Sequence, residues 1–123
     1  MASRPKYLNL IQIRLPLPAF VSIMHRVSGA ALFFALPVML WWLQQSLTSG
    51  RTFAEFQTLF SNPLMKLVMI GLLWGYLHHL CAGVRHVVMD LHYGLELKTV
   101  RLTAKLVLGI SIALTVVIGA LLW

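Results

Sequence analysis

The residues able to do chemistry gather in one stretch, Gly75 to Tyr93, reading GYLHHLCAGVRHVVMDLHY. It lies within the second of three long apolar segments, yet it holds four of the five histidines, together with Arg85 and Asp90. Ionisable groups are costly in a bilayer, so a cluster of them inside an apolar segment is read as a functional site. At 3.6 residues per helical turn, His79, Gly83, His86 and Asp90 stand at i, i+4, i+7 and i+11 and form one stripe. His78 and Arg85, seven residues apart, form a neighbouring stripe. An imidazole with a glycine one turn away suits a flat, metal-bearing macrocycle. The ring nitrogen can ligate iron, and the missing side chain lets the macrocycle plane approach the backbone.

A second group opens the first apolar segment, FVSIMHRVSGA. Ser22, His25, Arg26 and Gly29 stand at i, i+3, i+4 and i+7, so a hydroxyl, an imidazole, a guanidinium and a bare backbone are expected on one face. The plainer alternative is that Arg26 extends to lipid headgroups while Ser22 caps the helix. Asp90 has an alternative as an ion-pair partner of Arg26 or Arg85, since buried charges need partners. His79 has one as a core histidine hydrogen-bonded between helices. His78 is read as core, His92 as interfacial, Glu96 as a solvated loop residue, and the single cysteine, Cys81, as packing. One cysteine excludes a disulfide within the chain, and no CxxC or zinc spacing exists.

The elements that must position these groups follow from hydropathy. The chain has 123 residues, 59% hydrophobic and 11% charged, against about 25% charged in soluble domains. Uncharged runs extend over 27–50, 67–84 and 106–123, which are 24, 18 and 18 residues long. About 20 apolar residues span a hydrocarbon core as a helix. The fold class is therefore all-α and integral to the membrane, with three transmembrane helices over about 18–49, 64–92 and 102–123. Residues 1–20 form an N-terminal segment, rich in proline and read as retained, and 21–123 the transmembrane domain. The stretch from Gly50 to Pro63 reads as a loop whose phenylalanines lie against the membrane surface. The third helix, whose uncharged run 106–123 has only Ser111 and Thr115 as polar groups, reads as scaffold.

The formal charge of +7 does not point to nucleic acid, because the basic residues lie between apolar runs rather than on a soluble face. Eight of the ten flank the start of the first span or the connection between the second and third. That asymmetry puts the N-terminus in the cytoplasm and the C-terminus on the opposite side of the membrane, which is the periplasm if the chain is bacterial. At 1.5 Å per residue, His79 is about 20 Å from a second span ending near His92, while His86 is about 9 Å and Ser22 to Arg26 about 6 to 12 Å from the same surface. His25 is therefore expected level with His86 and not opposite His79. The third span has no His, Met or Cys, so a second axial ligand is expected from another polypeptide.

SIMHRVSG at 22–29, followed by HHLCAGVRHVVMD at 78–90, resembles the bacterial cytochrome b556 membrane-anchor family of succinate dehydrogenase, respiratory complex II. The opening RPKYLNL, the length and the three-helix plan are similar too. The resemblance implies a non-catalytic-core subunit that pairs with a second small anchor subunit in a heteromeric helix bundle in the bacterial inner membrane. Together the two hold one haem b and dock an iron–sulfur subunit and an FAD-bearing flavoprotein on the cytoplasmic face. Electrons from succinate then pass to ubiquinone. By motif position, His79 matches the haem axial ligand, His25, Arg26 and His86 match groups near the propionates, and Ser22 and Arg26 match quinone-site residues. Asp90 lies near the quinone end, with proton delivery as its role. Two other functions fit the residues alone: a proton-coupled transporter or channel subunit, since intramembrane His and Asp also mark proton relays, and an anchor without haem.

Overall fold

The computed structural model describes residues 13–123, and Arg4, Lys6 and the RPKYLNL stretch lie outside them. Four helices follow one another: α1 (Leu17–Thr48), α2 (Gly50–Ser61), α3 (Pro63–Asp90) and α4 (Leu97–Leu122). Three of them, α1, α3 and α4, are long and apolar enough to cross a membrane. α1 starts beside Pro16 and Pro18, whose fixed φ suits a first helical turn. It continues unbroken through Pro37.

The expected loop at 50–63 is instead mostly helix. Ser49 and Thr52 form a capping box: the Ser49 hydroxyl accepts from the Thr52 N–H at 3.1 Å, and Thr52 Oγ1 accepts from the Ser49 N–H at 3.1 Å. Two of the four N-terminal N–H groups that a helix leaves unsatisfied are met this way. α2 folds back onto α1 through Phe60, edge-on to Trp42 at 5.2 Å, and Phe56 lies on Phe60 at 4.2 Å. Asn62 then ends α2 and caps α3, its Oδ1 accepting from the Leu64 N–H at 2.9 Å, with Pro63 at the first helical position. The expected extension of the second span to His92 is shortened by a turn, in which His92 and Gly94 take φ of 65° and 69°. α4 begins at Leu97, five residues ahead of the expected start, because the basic turn Lys98–Arg101 is already helical.

The three long helices meet along small side chains. Val21 of α1, Ala82 of α3, and Ala104 and Val107 of α4 form the buried core. Along α4 the buried positions are Ala104, Val107, Ser111, Thr115 and Gly119, a stripe of small residues that lets backbones approach closely. Ser111 and Thr115 return their hydroxyl hydrogens to carbonyls of their own helix, Leu108 at 3.1 Å and Ser111 at 2.7 Å. No polar group on that stripe asks for a ligand, in keeping with a scaffold helix.

Arg85 ties α3 to α4. Its guanidinium is buried, with Nε donating to Thr103 Oγ1 at 3.1 Å and Nη2 to the Val100 carbonyl at 3.4 Å. Removing an acceptor from a buried charged donor costs on the order of 1.5–3 kcal/mol. Thr103→Val should therefore lower the thermal stability of the detergent-solubilised protein by that amount, as read by a melting curve, while a change at the exposed Thr58 should not.

Candidate functional site

The site is built where α1 and α3 cross. His79 Nδ1 donates to the carbonyl oxygen of His25 at 3.0 Å and lies 3.3 Å from Ser28 Oγ. The same carbonyl accepts the Ser28 hydroxyl at 3.0 Å. The His25 and His79 rings stack with centroids 4.2 Å apart and planes 11° from parallel. His86, two turns along α3, stands 5.1 Å from His25 at a tilt. Three imidazoles thus gather from two helices.

Glycines permit the close approach. A β-carbon on Gly29 would stand 2.8 Å from His79 Cε1, closer than such atoms can sit. A β-carbon on Gly83 would come 3.5 Å from His25 Nε2, so the bare backbone at Gly83 faces the His25 imidazole. The expected separation in depth between His25 and His79 is therefore corrected, since the two rings touch. α3 ends at Asp90, not His92, which brings His79 to about 16 Å from its end against about 12 Å for His25 from the start of α1. The difference is less than one helical pitch, within reach of two side chains.

The face expected to carry Ser22, His25, Arg26 and Gly29 together is divided. His25 and Gly29 turn toward α3, Ser22 is half-buried, and Arg26 is exposed. Asp90 is exposed at the end of α3. Its alternative as a partner of Arg26 or Arg85 is not realised: among the described residues the ion pair is Arg51–Glu55 on α2, and Arg85 bonds Thr103 and Val100 instead.

His78 and His79 are adjacent and differently placed. His78 is fully buried, and neither of its ring nitrogens has a well-formed hydrogen bond; Trp74 Nε1 beside it is also unpartnered, with ring centroids 5.4 Å apart. His79 is half-buried. One of its nitrogens is fixed by α1, whereas Nε2 has no protein partner among the described residues and is not sealed from the surface. Among the described residues no three His, Cys, Asp or Glu side chains converge to hold a metal ion. Ser28 belongs to the site as well, a residue to which spacing alone gives no role; its signal is its place three residues after His25, on the same helical face.

Over residues 2–118 the chain matches the succinate dehydrogenase/fumarate reductase transmembrane subunit family. It belongs to that family. The succinate dehydrogenase cytochrome b556 subunit of Coxiella burnetii is 35% identical over 123 residues, covering 99% of this chain and 98% of that one. The subunit of the same name from Paracoccus denitrificans is 34% identical over 114 residues, covering 93% and 88%. That from Rickettsia felis is 33% identical over 120 residues, covering 98% and 90%. As a member of this transmembrane family the chain is a multi-pass membrane protein, which accounts for the large apolar side chains such as Phe33, Phe34 and Leu47 on its outside.

Crowding at Gly29 yields a direct test in this family member. Gly29→Ala should push the His79 ring off α1 and destabilise the protein by about 1–3 kcal/mol, the usual cost of overpacking. Gly109→Ala, where an added β-carbon meets nothing within 4 Å, should leave the melting temperature unchanged or raised.

Proposed function

We propose that this chain is the haem b-carrying membrane anchor of a succinate dehydrogenase, with His79 supplying one axial ligand to the iron. The observation that carries this reading is the division of labour on the His79 ring. Nδ1–H is held by the His25 carbonyl, and Nε2 is left with its lone pair and no protein partner among the described residues. Histidines that bind metal commonly donate their other ring N–H to a carbonyl or carboxylate, which sets the tautomer and the ring plane. The half-buried, anchored imidazole therefore fits a haem ligand better than a core histidine spent entirely on interhelical bonds.

Bound haem b supplies one-electron storage beside the route from succinate to quinone. The chain's own residues position, bind and protonate. His25 lies face to face with His79, so the lone pairs of the two rings lie in nearly parallel planes and do not converge on one ion between them. The other haem ligand would accordingly come from a second small anchor subunit. α1 is the least buried of the three spans, which supports such a neighbour. His25, Arg26 and His86 are assigned to the haem propionates.

Ser22 and Arg26 are one turn apart on α1, neither bonded within the described residues, and Arg26 is exposed. A hydroxyl and a guanidinium so placed donate to a carbonyl oxygen, which is what a ubiquinone headgroup offers. Asp90, exposed at the end of α3, is assigned to proton delivery as quinone becomes quinol. The excess of basic residues supports assigning this end of the bundle, and the segment 1–20, to the cytoplasmic side of the inner membrane. The iron–sulfur subunit and the FAD-bearing flavoprotein dock there.

A reduced-minus-oxidised optical spectrum of the purified complex tests the haem assignment. A b-type band should be present and should disappear in His79→Ala. A wild-type complex with no such band would return the chain to a haem-free anchor or a proton-coupled transporter subunit. Arg26→Leu should lower quinone reduction roughly 10–100-fold, the worth of a charge-assisted hydrogen bond, while succinate oxidation by an artificial acceptor stays near wild type. Equal loss of both activities would show failed assembly, whereas wild-type quinone reduction in Arg26→Leu would refute the quinone role.

A further inference from the structure

We infer that Ser28 is a positioning residue for His79: its hydroxyl, together with the His25 carbonyl, fixes the proton on Nδ1 and so keeps Nε2 available to a metal. This rests on the reading above that His79 ligates haem iron.

The argument follows from which atoms can donate. Ser28 is buried, and its hydroxyl hydrogen is directed to the His25 carbonyl oxygen, 3.0 Å away. A hydroxyl has one hydrogen, so the side of Oγ facing His79 presents a lone pair. His79 Nδ1 therefore faces two acceptors, the carbonyl at 3.0 Å and the serine oxygen at 3.3 Å, and no donor. A neutral imidazole has one N–H, and in this setting it stands on Nδ1. Were the Ser28 hydrogen turned toward Nδ1 instead, the proton would belong on Nε2, and that nitrogen would have no lone pair for iron.

The rest of α1 is shaped to the same end. The backbone at Gly29 gives the ring its clearance, and the parallel His25 ring covers one of its faces. His25, Ser28 and Gly29 thus supply an acceptor, a lock on that acceptor and room for the ring, from a single turn of helix. A hydrogen bond at Nδ1 also makes the imidazole a stronger donor to iron, so its strength is expressed in the reduction potential of the haem.

The test compares Ser28→Thr with Ser28→Val in the complete complex. Threonine and valine have nearly the same shape and differ by a hydroxyl against a methyl. Haem per complex, midpoint potential and the low-spin ferric EPR signal are measured for each. Ser28→Thr should keep the wild-type potential and EPR signal. Ser28→Val should lose haem several-fold or, where haem is retained, show a displaced midpoint potential and altered EPR signal. Threonine and valine complexes that behave alike would overturn the inference. That includes failure of both to assemble, since the fault would then be bulk at a buried position. Absence of a b-type band from the wild-type complex would instead defeat the haem assignment itself, so the two failures are separable.

Discussion

One hydrogen bond between helices, from His79 Nδ1 to the His25 carbonyl, sets the terms for the rest of the site. It requires a side chain of α3 to reach the backbone of α1. Backbones come that near only where side chains are small or absent, which explains Gly29 beneath the ring and Ala82 and Val21 in the adjoining core. In a bilayer the driving force for helix contact is packing and polar bonding rather than escape from water. The same contact therefore both fastens α1 to α3 and aims the imidazole.

α3 does two things at once because successive residues turn about 100° around a helix axis. His79, Gly83 and His86 look toward α1, while His78 and Arg85 look into the bundle, where Arg85 is held by Thr103 and Val100 of α4. The inner stripe steadies the helix from behind while the outer one presents chemistry. α4 contributes small residues and hydroxyls satisfied by their own helix. Scaffold and site are thus separated by helical face within a chain that has no room for separate domains.

Much of this was legible in the sequence for physical reasons. A helix in lipid satisfies its own backbone, so hydropathy and length alone locate the spans, and a period of 3.6 sorts His79 from His78. What was not legible depended on contacts across helices or on local capping. The Ser49–Thr52 box made a helix of the stretch read as loop, because threonine stands where glutamate or glutamine is the usual signal. The His25–His79 stack was hidden from the depth comparison because helix ends displaced by one and two residues shift everything counted from them. Ser28 drew no notice because a serine within a helix usually spends its hydroxyl on its own turn. Here it does so and still shapes the neighbouring ring.

Pro37 sits inside α1 between the turn that holds His79 and the end where Trp42 meets α2. A proline has no N–H, so the carbonyl four residues earlier, that of Phe33, lacks its helical donor. Bending stiffness is lowest at such a point. The weakest link in the hydrogen-bond ladder of α1 thus falls between the imidazole cluster and the surface on which α2 packs.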